Sequence, residues 1–154
     1  MPSWLHPLRQ ALHQAETPRT FFCRDDDVGW EDERLFALLD LLAGYAIPVD
    51  LAVIPTALTP SLTQRLLARL AATPGSLKVH QHGFAHSNHA RTGRKCEFGE
   101  SRTLLDQRDD IARGQQQLRM LLGALVEPIF TPPWNRCTAV TGGCLVELGF
   151  QVLS

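Results

Sequence analysis

The sequence lacks the features that mark membrane-bound and nucleic-acid-binding proteins. None of its apolar runs approaches the ~18 residues of a membrane-spanning helix, and its N-terminal segment, Met1–Thr17, is amphipathic and unlike a signal peptide. Fifteen Lys and Arg residues balance 16 Asp and Glu residues, so the formal net charge is only -1. A non-specific nucleic-acid binder or a membrane-surface protein would carry a basic excess. We therefore expect no nucleic-acid partner and no membrane span.

Paired cysteine motifs are also absent. The four cysteines, Cys23, Cys96, Cys137 and Cys144, are scattered along the chain without a CxxC pair. This pattern is typical of reduced thiols and predicts a cytoplasmic protein, not a secreted disulfide framework. Cys23 and Cys144 lie in apolar stretches and are predicted to be buried.

The length and composition predict one globular domain over residues 1–154. Hydrophobic residues make up 44% of the chain and charged residues 20%, as in proteins that fold around a core. A chain of this length buries enough surface to fold without a disulfide or a structural metal. Stability alone therefore does not explain the histidines described below.

Strand-like and helix-like segments alternate along the chain. Strands are predicted near residues 20–24, 47–54, 77–82, 127–131 and 150–153, and helices over 31–45, from 60 onward, over 101–122 and over 138–148. Such alternation predicts right-handed crossovers and a parallel sheet covered by helices. Ligands of parallel α/β folds gather at the carboxyl ends of the strands. The long connection over residues 83–100 is a candidate functional loop.

Three adjacent aspartates, Asp25, Asp26 and Asp27, form the acidic carboxyl end of the first predicted strand. Neighbouring carboxylates raise each other's pKa unless a cation or a proton separates them, so the triplet favours a metal site. The alternative is a turn and helix cap, since Asp is common before a helix such as the one after Trp30.

Four of the six histidines lie within ten residues, at His80, His82, His86 and His89. His82 and His86 are four residues apart, and the glycine after His82 allows the chain to turn so that both imidazoles reach one ion. Two imidazoles and a carboxylate suit zinc and leave coordination positions open for catalysis. The alternatives are a His-rich surface loop or a closed structural site of His82, His86, His89 and Cys96. His80 is either a core residue or a support for the site.

Three segments in this order resemble the motifs of the polysaccharide deacetylase family, carbohydrate esterase family 4. They are Asp26-Asp27, His82-Gly83-Phe84-Ala85-His86 and Thr131-Pro132-Pro133-Trp134-Asn135. Arg24-Asp25-Asp26-Asp27, Gln81-His82-Gly83, Glu97-Phe98-Gly99 and Pro132-Pro133-Trp134-Asn135 also resemble an uncharacterised deacetylase-like branch. The resemblance implies an incomplete parallel (β/α) barrel with about five of seven strands. It predicts the N-terminal portion of a longer barrel, with self-association as a way to cover the open sheet edge.

The resemblance also implies an activity, the metal-dependent removal of N-acetyl groups from a carbohydrate. Asp26 would be the general base, and Asp27, His82 and His86 would hold a divalent ion, with Zn²⁺ as the expected metal. A register shift to Asp25 and Asp26 stays open. Backbone N–H near Trp134 would stabilise the oxyanion, and the Trp134 ring would contact the sugar or enclose the acetyl group. The alternative for Trp134 is a core residue.

One departure from the family's pattern concerns an arginine. The family's third motif usually begins with an arginine that pairs with the base aspartate, whereas this chain has Thr131 there. Arg24, Arg102 and Arg136 are candidates for the missing charge, and Arg102 is preferred because it opens the predicted helix after the long loop. The other loop residues Lys95, Glu97 and Phe98 are predicted to form a solvated face, with contact to substrate as the alternative.

A second departure concerns the general acid. The family uses a later histidine for this role, and the sequence has no histidine after His89. Two other functions therefore stay open. One is a catalytically incomplete carbohydrate-binding or interaction module, and the other is a metal-dependent amidase that acts on a non-sugar substrate.

Overall fold

Five parallel strands and five helices build the fold in the computed structural model, which describes residues 3–154. The strands are β1 Cys23–Val28, β2 Val49–Val53, β3 Leu77–His82, β4 Val126–Thr131 and β5 Val152–Leu153. The helices are α1 His6–His13, α2 Asp32–Gly44, α3 Pro60–Ala72, α4 Leu104–Leu122 and α5 Ala139–Glu147. The first two residues of the segment predicted to be amphipathic, Met1 and Pro2, lie outside the described residues.

The sheet order β1-β2-β3-β4-β5 follows the order of the chain, and every neighbouring pair is parallel. Each of the helices α2 to α5 connects one strand to the next. Right-handed crossovers in sequential order place these helices on the same face of the sheet, as in an arc of a (β/α) barrel. The predicted α/β fold with five parallel strands is confirmed.

The hydrophobic core lies between the sheet and this layer of helices. Alternate β2 residues Val49, Leu51 and Val53 are buried against helix residues such as Leu62 and Leu66. Since side chains alternate across a strand, Asp50 and Ala52 face the other, inner side of the arc. The inner face is therefore available for polar side chains at the strand ends.

The first strand begins at Cys23, three residues later than predicted, and continues through the aspartates to Val28. All three aspartates lie within β1, because the pairing with β2 shifts between Asp25 and Val28 and leaves one extra residue in β1. Asp27 has a left-handed φ of 62° at this bulge. A β-bulge changes the direction of nearby side chains, so Asp26 and Asp27 are not restricted to opposite faces.

Other boundaries differ by a few residues. Helix α4 begins at Leu104 and not at Ser101, because the Thr103 side chain accepts a hydrogen bond from the backbone N–H of Asp106 at 3.1 Å and caps the helix. Cys144 is buried as predicted, whereas Cys23 is only half-buried. No helix among residues 3–154 is long and apolar enough to cross a membrane.

Gly114 allows helix α4 to pack closely on the sheet. A Cβ atom at this position would clash with Gln81 Nε2 and lie 3.0 Å from Pro55 Cγ. The Gln81 amide is fixed because it donates hydrogen bonds to the carbonyls of Gly83 and Ile111 at 2.9 and 3.1 Å. We expect Gly114→Ala to lower the free energy of unfolding by about 1–3 kcal/mol, since overpacking outweighs the better helix propensity of Ala. Urea unfolding measures the change.

Gly142 in α5 provides the matched control. No atom lies within 4 Å of a Cβ built at Gly142. Gly142→Ala is expected to raise the free energy of unfolding by about 0.5–1 kcal/mol through helix propensity alone. Equal effects of the two substitutions would contradict close packing at Gly114.

Candidate metal centre

Three potential ligand atoms meet at the carboxyl ends of β1 and β3. The Nε2 atoms of His82 and His86 lie 3.1 and 3.0 Å from the same oxygen, Asp27 Oδ1. All three atoms lie within 4.8 Å of one another. His82 ends β3 and His86 follows four residues later, so the fold brings together the three residues predicted as metal ligands.

The hydrogen bonds of His82 prepare it for a cation. Its Nδ1 lies 3.0 Å from the backbone carbonyl of Thr131, which can only accept, so Nδ1 carries the proton. Burial lowers the pKa of His82 below its ordinary value, although the charge of Asp26 opposes this shift. Neutral His82 therefore directs the lone pair of Nε2 at the Asp27 carboxylate, an arrangement that a cation between the two would stabilise.

The donor set also fits a divalent ion by type and spacing. Imidazole nitrogens and carboxylate oxygens bind zinc at about 2.0–2.2 Å, so neighbouring ligand atoms lie about 3.0–3.5 Å apart. The Asp27 distances of 3.1 and 3.0 Å agree with this spacing. Three protein ligands leave further coordination positions for water and substrate. His89 and Cys96, which a closed structural site would need, do not belong to this cluster.

Two tryptophan rings enclose His86. Its ring centroid lies 4.7 Å from that of Trp30 in an edge-on arrangement and 4.3 Å from that of Trp134. Sequence reasoning found Trp134 through its motif but missed Trp30. Only the position of Trp30 shortly after the aspartates could have indicated that it lies at the site. Trp134 is only partly buried, at the edge of the site and outside the hydrophobic core. The two rings restrict how His86 can turn.

Backbone strain is concentrated at this site. Five non-glycine residues in the described part of the chain have a positive φ, and four of them are Asp27, His86, Trp134 and Asn135. Each such residue costs of order 1–3 kcal/mol and persists only where the surroundings hold it. Strain of this kind is common at functional sites.

Glu97 holds the loop that carries His86. Its carboxylate is 1% exposed and accepts hydrogen bonds from the backbone N–H groups of Phe84, Ala85 and Ser87 at 3.2, 2.8 and 3.3 Å. The prediction that Glu97 and Phe98 lie on a solvated face is wrong, because both are buried. Burial of a carboxylate requires such hydrogen bonds.

Gly83 allows this loop to pass close to its neighbours. It has a φ of 56°, and a Cβ there would clash with Glu97 Oε2 and lie 2.5 Å from Pro133 Cγ. Only glycine fits such a position without moving the backbone. The position of His86 therefore depends on two segments, Gln81-His82-Gly83 and Glu97-Phe98-Gly99.

Asp26 lies beside the cluster and pairs with Arg24. The Arg24 guanidinium donates to both Asp26 oxygens, at 2.7 and 3.0 Å, and to Asn135 Oδ1 at 3.1 Å. Such a two-point contact fixes the orientation of the carboxylate. Arg24, which was one of three candidates for the missing charge, thus contacts the predicted base.

The preferred candidate, Arg102, lies elsewhere. It donates to Asp110 Oδ2 at 2.7 Å and to the carbonyl of Asp106, and no contact joins it to Asp26. Helix α4 begins after Arg102 and not at it, and the guanidinium reaches forward along the first turns of the helix. Arg136 donates to the backbone carbonyl of Lys95 at 3.1 Å. The structure therefore does not bring Arg102 to the site.

Two further titratable groups border the site. Burial, followed by the charges of Asp26 and Asp27, raises the pKa of Asp25. Burial, followed by the charge of Arg24, lowers the pKa of His80 from 6.5 to about 4. His80 Nε2 lies 2.9 Å from Thr131 Oγ1, so the residue that ends β4 contacts this imidazole.

Removal of the Glu97 carboxylate is expected to weaken metal binding. Glu97→Ala leaves three backbone N–H groups unpaired and frees the loop, so we expect the Kd for Zn²⁺ to rise about 10–100-fold. The Co²⁺ absorption spectrum should change with it, and Glu97→Gln should recover part of the affinity. Exposed Glu100→Ala is the matched control. An unchanged Kd and spectrum in Glu97→Ala would contradict the role of Glu97.

The neutral buried histidines predict that acid destabilises the metal-free protein. The unfolded chain takes up protons near pH 6.5, whereas folded His80 does so only near pH 4, so stability falls as the pH drops through this window. His80 contributes at most about 3 kcal/mol to this loss. Urea unfolding between pH 7.5 and 4.5 should show a smaller pH dependence for His80→Gln and an unchanged one for exposed His89→Gln. Equal slopes for all three proteins would contradict this.

Comparison with solved structures identifies the fold. IcaB from Ammonifex degensii is 19% identical with a TM-score of 0.71, over 93% of this chain and 62% of that chain. The chitin deacetylase of Colletotrichum lindemuthianum is 17% identical with a TM-score of 0.64, over 86% and 54%. A pseudoenzyme of carbohydrate esterase family 4 from Bacillus anthracis is 13% identical with a TM-score of 0.62, over 86% and 41%.

The chain spans about half the length of these solved structures, between 41% and 62%. No protein-family model and no curated protein matches the sequence. The sheet of five parallel strands and its helices nevertheless superpose on these structures over most of the chain. The chain therefore has the polysaccharide deacetylase fold of carbohydrate esterase family 4.

Proposed function

We propose that this chain carries the metal site of a hydrolase that removes N-acetyl groups from a carbohydrate. The observation that carries the proposal is the meeting of His82 and His86 on one oxygen of Asp27, with Asp26 held beside them by Arg24. The fold shared with a chitin deacetylase supports the substrate class. Zn²⁺ is the proposed ion, since two imidazoles and one carboxylate suit it.

Asp27, His82 and His86 would hold the ion. A bound divalent ion supplies a Lewis acid for the acetyl carbonyl and lowers the pKa of coordinated water. Asp27 contributes negative charge, and the Thr131 carbonyl keeps the proton of His82 on Nδ1 and leaves Nε2 available. The ligands are thus in place before the ion arrives.

Asp26 is the proposed general base. Arg24 donates hydrogen bonds to both carboxylate oxygens and fixes their direction. Asp26 so oriented would accept a proton from the water that attacks the acetyl carbon. Backbone N–H near Trp134 is the proposed donor to the developing oxyanion. The Trp134 ring, packed on His86, would form a wall for the acetyl group.

A catalytically incomplete module is the second candidate function. The fold similarity to a family 4 pseudoenzyme favours it, because that protein shows that the fold does not guarantee turnover. Such a module would bind metal and sugar without acetate release. The cytoplasmic location and the self-association stay predictions.

Substitution of the three neighbouring aspartates tests the proposal. Asp26→Asn should lower kcat for acetate release from N-acetylglucosamine oligomers at least about 100-fold and leave the Kd for Zn²⁺ nearly unchanged. Asp27→Asn should raise that Kd about 10–100-fold. Isothermal titration with Zn²⁺ and an acetate assay measure both effects on the metal-loaded protein.

Asp25→Asn is the matched control in the same strand. Since Asp25 lies outside the cluster of Asp27, His82 and His86, its substitution should change metal binding and turnover far less than Asp27→Asn or Asp26→Asn does. Loss of metal binding in Asp25→Asn with retention in Asp27→Asn would mean that the pair is Asp25 and Asp26. Metal binding and sugar binding without acetate release in the unsubstituted protein would favour the incomplete module.

A further inference from the structure

The two residues that follow Trp134, Asn135 and Arg136, line a large open cavity. It has a volume of about 720 Å³ and lies between the long loop and the segment after β4. Its lining includes Arg91, Glu100, Asn135 and Arg136. Ligand pockets in proteins occupy about 300–1,000 Å³, so the cavity is large enough for part of an oligosaccharide.

The cavity is linked to the proposed catalytic residues through the segment after β4. Asn135 lines the cavity and accepts a hydrogen bond from Arg24, the residue that holds Asp26. The preceding residue, Trp134, packs on His86, and the ammonium of Lys95 lies 5.9 Å from the centroid of its ring. A sugar chain that binds at the metal centre and continues past Trp134 would reach this cavity.

Two cations without a carboxylate partner line the cavity, and two more lie in the same loop. Arg91 and Arg136 are in the lining, Arg94 and Lys95 precede the lining residue Cys96, and within residues 3–154 none of the four has an acidic side chain at ion-pair distance. Arg136 donates to the backbone carbonyl of Lys95 instead. Glu100 is the acidic residue in the lining, and the other nearby glutamate, Glu97, is buried among backbone donors.

Ion pairing is common elsewhere on this surface. Arg65 pairs with Glu33, Arg108 with Glu147 and Lys78 with Glu127. Unpaired cations that converge on a cleft attract anions and raise their local concentration.

We propose that this cavity is an anion subsite, which binds a carboxylate or phosphate of an acidic oligosaccharide. The inference rests on the proposed function, because the N-acetylated sugar of the same chain would lie over Asp27, His82 and His86. Arg91 and Arg136 would contact the anion from the cavity wall, since a guanidinium can donate two parallel hydrogen bonds to either group. Lys95 would contribute charge beside Trp134.

Binding of size-matched oligosaccharides to the Zn²⁺-loaded full chain tests the subsite. The probes are an N-acetylglucosamine tetramer, a tetramer that alternates N-acetylglucosamine with glucuronic acid, and an N-acetylglucosamine tetramer with a phosphate monoester. Calorimetry should give a Kd about tenfold lower for at least one acidic probe than for the neutral one at low salt. The advantage should shrink at 0.5 M salt because screening weakens exposed charges.

Two double variants separate the subsite from general charge effects. Arg91→Gln with Arg94→Gln should raise the Kd for the acidic probe about fivefold and leave the Kd for the neutral probe unchanged. Arg19→Gln with Arg119→Gln removes the same charge from two exposed residues near the opposite ends of the strands and should leave both values unchanged.

The outcomes distinguish this proposal from the proposed function. Equal affinity for neutral and acidic probes, no binding of either acidic probe, or equal effects of the two double variants would overturn the subsite. Preferential binding of the acidic probes without acetate release would support the subsite and count against the hydrolase. A preference for only one acidic probe would support the subsite and identify the anion as carboxylate or phosphate.

Discussion

The candidate site depends on one contact, the approach of two imidazoles to a single oxygen of Asp27. The Nε2 lone pair of neutral His82 faces the Asp27 carboxylate at 3.1 Å. The surroundings maintain this arrangement through the hydrogen bond from His82 Nδ1 to Thr131 and through the two tryptophan rings around His86. The geometry is therefore built into the fold and suits a positively charged ligand.

This preorganisation requires strained backbone, and the strain is held from outside the site. Asp27 and His86 both have left-handed φ values, which ordinary side chains rarely adopt. The β-bulge holds Asp27, and the buried Glu97 carboxylate holds the loop of His86 through three backbone N–H groups. Packing of Gln81 against α4 anchors the strand end from which that loop leaves.

Two groups of charged residues lie around the candidate metal centre, one beside the ligands and one in the long loop. Arg24 comes from the same strand as Asp26 and donates hydrogen bonds to both of its carboxylate oxygens, so the proposed base is oriented without an arginine from β4. The β4 position holds Thr131, which contacts neutral His80. Farther out, unpaired cations of the long loop border the cavity beside Trp134. The centre is thus acidic inside and basic at its edge.

The sequence by itself determined the order of strands and helices and the residue types at the strand ends, because apolar periodicity and short motifs are local properties. It also identified Asp27, His82 and His86 as candidate ligands. The tertiary structure decided which partner each charge has. Arg24 and not Arg102 pairs with Asp26, and Glu97 is buried under the His86 loop. Those outcomes depend on a bulge register and a helix start, which are set by packing between segments distant in sequence.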